Sequence, residues 1–405
     1  MDSEIVIVGG GLAAASLVGA YRDAGGAAPV TILSADDRPP YNRPPLSKGL
    51  LRGEVVAETT YVHPAAFYAE RGVDLRLGEA VTTIDTTART VTTGSGSHPY
   101  GRLVIASGTR PRALPVPGAE LAGVHTYRTL GDAEAVRAEA AEARAALVVG
   151  GSFIGSEVAA SLRLLGLEVT IVELGERLMP ALASEELSRQ LLELYRDRGV
   201  GVRLREGVAE LLGESGRVRG ARLASGEELA ADLVVVGVGV APNTSFLEGS
   251  ALALDDGVVV DEGFRTSVED VYAVGDVARY PDRVTGRRRR IEHWTAANAQ
   301  GAHLGRLLAG SDAPYDELAV FFTQLFDRKL QVLGDPDGGV DDVVVTGDLT
   351  AGLLALYVRG GHAVGAVVSG VPEETVAQVR AVARERPELA VAEELLAAHP
   401  STAGS

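Results

Sequence analysis

Cysteine is absent from this chain of 405 residues. That absence excludes a disulfide framework, a thiolate metal site, a protein-ligated iron–sulfur cluster of the usual kind and a redox-active cysteine pair. The seven histidines are scattered, with no HxxxH-type pair, so no structural or catalytic metal is expected. Basic residues are outnumbered, 38 against 55 acidic, for a formal net charge of −17. This argues against general binding to nucleic acid or anionic membrane, while permitting a local basic patch. No apolar run approaches the roughly 18–20 residues of a membrane span. The chain enters a strand pattern at once (Met1-Asp2-Ser3-Glu4-Ile5), with no n-region or h-region of a secretory signal. The expectation is a cytoplasmic protein with neither nucleic acid nor membrane among its partners. Apolar content of 46% and charged content of 23% are ordinary for a globular protein, and the length suits two or three domains.

Two strand–glycine–helix segments carry most of the information. Ile5-Val6-Ile7-Val8-Gly9-Gly10-Gly11-Leu12-Ala13-Ala14 is the first, and Ala146-Leu147-Val148-Val149-Gly150-Gly151-Ser152-Phe153-Ile154-Gly155 the second. Each is a buried apolar strand, a tight turn and an apolar helix start. That arrangement turns backbone N–H groups at a positive helix end toward a pyrophosphate. Two such turns, each followed by an acidic residue after the next strand, point to two dinucleotides on one protein. The simplest chemistry for the pair is hydride transfer between a nicotinamide and a flavin. Without cysteine, electrons must then leave the flavin directly.

Hydrophobic periodicity predicts strands at 4–9 and 29–34 around a helix at 12–24, and a Pro-rich loop over 36–48. Alternating stretches near 73–77, 81–85 and 89–93 read as a small antiparallel insertion, and 103–106 as another buried strand. A helix at 131–143 leads to a second unit: strand 146–150, helix 153–166, strand 168–173, helix 185–198, a hairpin of 202–212 with 217–224, and strand 233–237. The chain then returns to the first domain through a strand ending at Gly275-Asp276 and a helix at about 295–309. Short strands at 329–334, 343–347, 353–358 and 363–369, with one or two helices over 372–397, form a further α+β module. Residues 401–405 are expected to be a disordered tail.

Gly9 and Gly11 take the turn and the pyrophosphate approach, and Ala14 is small enough for the third fingerprint position. Asp36 is favoured over its neighbour Asp37 as the acceptor of an adenosine ribose hydroxyl. In the second motif Ser152 stands at the middle glycine position, where its side chain can crowd the phosphate. Glu173 ends the following strand, where a carboxylate repels a 2′-phosphate and favours NADH over NADPH, although Arg177 nearby tempers this. Glu157, two residues past Gly155, is either an ordinary helix-start carboxylate or the partner of Lys48, which is otherwise a solvated lysine.

Arg43-Pro44-Pro45-Leu46-Ser47-Lys48 resembles the signature of flavin-dependent ferredoxin reductases that serve bacterial dioxygenases and P450s, the putidaredoxin-reductase-like enzymes. Apoptosis-inducing-factor-like reductases are similar. Ala106-Ser107-Gly108-Thr109-Arg110-Pro111-Arg112, Tyr127-Arg128-Thr129-Leu130, Gly150 to Glu157, Gly237 to Asn243 and Val274-Gly275-Asp276 carry the likeness along nearly the whole chain. The resemblance implies an α/β fold of two Rossmann-like domains, glutathione-reductase-like but without a redox disulfide, plus a C-terminal α+β domain. FAD would be bound by 1–110 and 242–318, NAD by 111–241, with the last domain at 319–400.

It further implies FAD contacts from Gly9, Gly11, Leu12, Ala13, Ala14, Asp36, Arg43, Lys48, Val81, Ala106, Ser107, Gly108, Arg110, Arg128, Gly275, Asp276, Glu292, His293 and Trp294. Of these, Lys48 would lie near the flavin N5 with Glu157 as partner, Asp276 on the ribityl chain, and Trp294 along the isoalloxazine. NAD contacts would come from Gly150, Gly151, Phe153, Ile154, Gly155, Glu157, Glu173, Val238 and Gly239. One departure matters beside Ser152. The family's aromatic–Ser–Asp–Gln stretch appears here as Phe322-Thr323-Gln324-Leu325.

Arg287-Arg288-Arg289-Arg290 is the one cationic block, either a solvated loop or a docking patch for an acidic ferredoxin. The reading that follows is an FAD-dependent NADH:ferredoxin reductase, monomer or homodimer. It would pass single electrons to a 2Fe-2S or other Fe–S ferredoxin that supplies an oxygenase. The competing readings are an apoptosis-inducing-factor-like NADH oxidase or sensor, a rubredoxin reductase, and a non-catalytic FAD-binding module.

Overall fold

Four apolar residues in a row, Ile5–Val8, are buried on both faces, the pattern of a central strand in a parallel sheet. The computed structural model, which describes residues 4–336 and 339–397, places that strand at the middle of a five-stranded parallel sheet. The order is Val271–Ala273, Arg102–Ile105, Ile5–Val8, Val30–Leu33, Val73–Arg76. The chain divides into two compact units, and this sheet belongs to the one made of Met1–Asn42, Glu58–Arg110 and Val240–Ala319. The strand order reverses about Ile5–Val8, which opens a crevice at the strand carboxyl ends. Helix Leu12–Asp23 leads away from it and packs on helix Trp294–Leu308. Glycine permits that approach: a Cβ on Gly301 would stand 2.2 Å from the Ala13 carbonyl oxygen.

The other unit comprises Arg43–Ala57, Pro111–Gly239 and Val320–Ser405. Its five-stranded parallel sheet runs Val200–Leu204, Glu168–Glu173, Ala145–Val149, Leu233–Val236, Val124–Thr126. A three-stranded antiparallel sheet (Val208–Glu214, Arg217–Leu223, Glu228–Ala230) follows the same pattern of insertion. The C-terminal part is a five-stranded antiparallel sheet, ordered Val320–Leu325, Arg328–Gly334, His362–Ser369, Gly352–Arg359, Asp342–Asp348, with helices Glu373–Glu385 and Leu389–Ala397. This is the expected fold class: two doubly wound α/β sheets and a C-terminal α+β module.

Three elements differ from expectation. Val73–Arg76 is the edge strand of the first parallel sheet, paired with Val30–Leu33. The antiparallel insertion is instead Val81–Asp85, Thr90–Thr93 and Gly96–Pro99. Val200–Leu204 is likewise the edge of the second parallel sheet, and the hairpin starts only at Val208, after Arg205 turns the chain with φ of 55°. An edge strand exposes one face, so its alternation looks like that of an antiparallel ribbon. Finally, the Pro-rich loop ends in a helical turn, Leu46–Leu50, broken at Lys48 (φ −125°, ψ −111°). The expected tail at 401–405 lies outside the described residues. Among the described residues no helix is long and apolar enough to cross a membrane.

Candidate functional site

In the first unit the strand Ile5–Val8 delivers Gly9 at φ 113°, and a Cβ there would meet the Ala106 carbonyl oxygen at 2.3 Å. Gly9 is therefore held against Ala106 and Ser107, two other predicted site residues. Gly11 caps helix Leu12–Asp23 without a side-chain acceptor for its first N–H groups, and a Cβ on Gly11 would meet nothing within 4 Å. This is a cradle with open space over a positive helix end, the geometry a pyrophosphate needs.

Gly275, with φ 77°, closes the other side. A Cβ on it would come 3.1 Å from the Ala13 side chain, and its N–H donates to Gln300 Oε1 at 2.8 Å. Asp276 follows, reached by the Thr109 hydroxyl at 3.4 Å. Gly108 accepts from Asn243 N–H at 2.9 Å, and the Ser107 hydroxyl donates to the Asn243 carbonyl at 2.8 Å. The structure thus brings Gly9, Gly11, Ala13, Ala106, Ser107, Gly108, Gly275 and Asp276 to one end of one sheet.

Asp36 lies beyond the neighbouring strand, half-buried. Its carboxylate accepts from the Tyr41 hydroxyl at 2.7 Å and the Arg38 N–H at 3.1 Å. Trp294, at the start of its helix, is 38% exposed and donates its indole N–H to Asn42 Oδ1 at 2.7 Å. Asn42 was not anticipated, though it immediately precedes Arg43 of the signature. Burial pushes His293 down to about 4, with Arg289 adding to the effect and Asp276 opposing it. Val81 packs at the rim of this unit's core, and Arg110 is exposed, donating to the Pro242 carbonyl at 3.1 Å.

In the second unit, Gly150 repeats Gly9. Its φ is 107°, and a Cβ would stand 2.4 Å from the Gly237 carbonyl oxygen. Ser152 caps helix Phe153–Leu164 but turns its hydroxyl to that same carbonyl, at 3.3 Å, rather than into the turn. Glu173 reaches back: its carboxylate accepts from Gly151 N–H at 2.6 Å and Gly175 N–H at 2.7 Å. Arg177 points to Glu185, 3.9 Å away. Phe153 packs edge-on against Phe321, ring centroids 5.1 Å apart, while Ile154 is 42% exposed. Val238 packs against the apolar cluster of this unit, and the Gly239 carbonyl accepts from Arg112 N–H at 3.0 Å.

Arg43, Lys48 and Arg128 fall in this second unit. The Arg128 N–H and the Thr129 N–H both donate to Asp132, the box that starts helix Leu130–Ala140. Lys48 is buried, and its ammonium sits 2.6 Å from Glu157 Oε2 and donates to the Pro44 carbonyl at 3.1 Å. The turn around it is pinned from outside. The Tyr127 hydroxyl donates to the Leu46 carbonyl at 2.6 Å, and the Ser161 hydroxyl to the Ser47 carbonyl at 2.6 Å. Burial raises Tyr127 far above the usual tyrosine range, so it stays a donor. Ser47 and Thr323, which stand within the signature and the departing stretch and were given no role from sequence, both donate to the Glu157 carboxylate. One signal did mark Lys48: it and Lys329 are the only lysines, against 36 arginines. A lysine kept in such a chain suits a place that needs a compact point charge.

The cationic block is unevenly disposed. Arg289 pairs with buried Asp282 at 2.5 Å, and Arg290 pairs with Asp256 and Glu292. Arg288 donates to the Val260 carbonyl at 2.5 Å yet is exposed, like Arg287. Among the described residues no group of three or more His, Asp or Glu comes together to hold a metal ion.

Residues 3–301 match the family described as pyridine nucleotide-disulphide oxidoreductase. The chain belongs to this family. Membership implies FAD and NAD(P), and the two cradles fit them: each has a glycine no side chain could replace, a helix end without a side-chain cap, and a carboxylate at or just past the end of the next strand. The disulphide chemistry in the family's description has no carrier in this cysteine-free member.

The chain is 38% identical over 365 residues, 89% of its length and 88% of the other's, to the 5,5'-dehydrodivanillate O-demethylase ferredoxin reductase subunit of a Sphingobium species. It is 35% identical, covering 88% of this chain and 87% of the other, to the anthranilate 1,2-dioxygenase system ferredoxin–NAD(+) reductase component of Burkholderia cepacia. Among solved structures it matches the covalent putidaredoxin reductase–putidaredoxin complex with a TM-score of 0.93, at 29% identity, over 98% of this chain and 99% of that one.

Proposed function

We propose that this chain is an FAD-dependent NADH:ferredoxin reductase that feeds electrons to an oxygenase. The observation that carries the reading is the presence of two dinucleotide cradles in a chain without cysteine. With no thiol to relay electrons, they must pass from flavin to an external acceptor. FAD, when bound, accepts a hydride from NADH and releases its two electrons one at a time, each reducing one oxidised Fe–S ferredoxin. The names of the related reductases and the ferredoxin complex support this choice of acceptor, and a cytoplasmic setting agrees with it.

The protein's own residues bind and orient. Residues 1–110 and 242–318 would hold FAD, 111–241 NADH, and 319–400 would complete the fold. Gly9 and Gly11 leave room for the FAD pyrophosphate, Asp36 accepts from its ribose, and Asp276 accepts from the ribityl hydroxyls. Trp294, fixed by Asn42, forms an aromatic wall. Glu173 accepts from the NADH ribose and, as a carboxylate, repels a 2′-phosphate. Lys48, held in place by Glu157, would supply a positioned ammonium beside the hydride path. Of the cationic block, Arg287 and Arg288 are the side chains with solvent exposure to steer an acidic ferredoxin.

The test is to mix the purified flavoprotein anaerobically with NADH and, separately, NADPH, then add ferredoxin and cytochrome c. Fast bleaching by NADH and ferredoxin-dependent cytochrome c reduction are expected. An Arg287→Ser/Arg288→Ser variant should raise the KM for ferredoxin and leave ferricyanide reduction unchanged. Bleaching without ferredoxin-dependent flux would replace this reading with an NADH oxidase or sensor, and absence of bound flavin would end both.

A further inference from the structure

The Glu157 carboxylate is shared between two stretches of the second unit that lie far apart in sequence. Oε2 accepts from the Ser47 hydroxyl at 2.5 Å and faces the Lys48 ammonium at 2.6 Å. Oε1 accepts from the Thr323 hydroxyl at 2.7 Å, and from the Gln324 N–H only at 3.4 Å. Glu157, Ser47 and Thr323 are 4%, 2% and 1% exposed, so water does not compete for these oxygens. The terminal torsion of a glutamate is broad. A donor on each oxygen sets the plane of the carboxylate, and the plane sets where the ammonium rests. Apart from Glu157 and the Ser47 hydroxyl at 3.4 Å, the ammonium's anchor is one carbonyl, that of Pro44.

We propose that Thr323 and Ser47 are positioning residues for the hydride step, fixing the Glu157 carboxylate and through it the Lys48 ammonium. Strand Val320–Leu325 is itself seated by Phe321 against Phe153, so the C-terminal module contributes a buried hydroxyl to the charge pair. The proposal rests on the reading of Lys48 and Glu157 given above.

The experiment uses the full-length flavoprotein with Thr323→Val, Thr323→Ser and Ser47→Ala. Anaerobic single-turnover bleaching by NADH should slow about tenfold in Thr323→Val, the scale of one lost hydrogen bond to a charged group. The dissociation constant for NADH should move less than about threefold, because the turn at Gly150 is untouched. Thr323→Ser should restore the rate. A second readout needs no turnover: in protein labelled with 13Cε-lysine only Lys48 and Lys329 give side-chain signals, and Lys329→Arg assigns them. The Lys48 signal should shift in Thr323→Val and return in Thr323→Ser. Wild-type bleaching with an unmoved Lys48 signal in Thr323→Val would overturn the proposal, as would equal slowing in the valine and serine variants. Should the valine variant not fold, Ser47→Ala decides by the same two readouts. Failure of the wild-type protein to bleach with NADH would instead count against the reductase reading itself.

Discussion

Ala14 and Gly155 occupy the same place in the two glycine turns, and the difference between them is one of distance. In the second unit a Cβ on Gly155 would stand 2.0 Å from the Gly150 carbonyl oxygen, so the helix lies directly on its own turn. In the first unit the equivalent residue is an alanine whose methyl group is fully buried. The acidic partners differ too. Glu173 is locked onto its turn through Gly151 N–H, whereas Asp36 is held by Tyr41 and Arg38 of the following loop. One fingerprint is therefore built in two ways: the second cradle includes its carboxylate as a structural member, and the first keeps it separate. A substitution at Glu173 should disturb both turn and ligand, while one at Asp36 should disturb the ligand and the following loop and leave the glycine turn intact.

The largest expected effect is at the third fingerprint position. Gly155→Ala must push the helix off the turn and should cost roughly 1–3 kcal/mol, with loss of NADH binding and retention of FAD. Ala14→Gly should cost only about 1 kcal/mol. Urea denaturation with a nucleotide titration on each variant checks the pair, and equal losses would erase the contrast.

Next in size is the carboxylate pair. Glu173→Gln should lower kcat/KM for NADH about tenfold, the order of one charge-assisted hydrogen bond, and narrow the preference over NADPH. Asp36→Asn should leave kcat/KM for NADH alone and speed the release of FAD. Steady-state kinetics with both nucleotides, and flavin fluorescence on dilution, would show whether the two acids are separable.

The last effect is silent at neutral pH and belongs to His293. Its folded value near 4 lies below the ordinary 6.5, so on acidification the unfolded chain takes up a proton before the folded one does. Stability from this site is complete above pH 6.5 and drains away as pH falls toward about 4. His293→Asn should flatten that part of the Tm–pH profile. An unchanged slope would mean that other groups set the acid limb.

Much of this site was legible because its residues act through local backbone. Gly9, Gly11, Gly150 and Glu173 follow from strand–turn–helix chemistry within about 25 residues, and the turn geometry leaves few alternatives. The edge strands Val73–Arg76 and Val200–Leu204 were not legible, since alternation reports which face is wet and not which neighbour supplies the hydrogen bonds. The pairing within the cationic block was not legible either. A run of four arginines looks uniform in sequence, but the hairpin of Ala278–Asp282 with Arg287–Arg289 gives each a different neighbourhood: Arg289 pairs with buried Asp282, while Arg287, at the start of the strand, is exposed.

By itself the sequence determined the class of chemistry: absence of cysteine removed thiol relays, and two apolar strands ending in glycine set two nucleotide turns whose geometry is local. Only the tertiary structure decided the company of Glu157. Ser47, Lys48 and Thr323 lie 110, 109 and 166 residues from it, and Trp294 lies 252 residues from the Asn42 that holds it. Hydrogen bonds and ion pairs across such separations follow from how sheets and helices pack, and no periodicity in the chain encodes them.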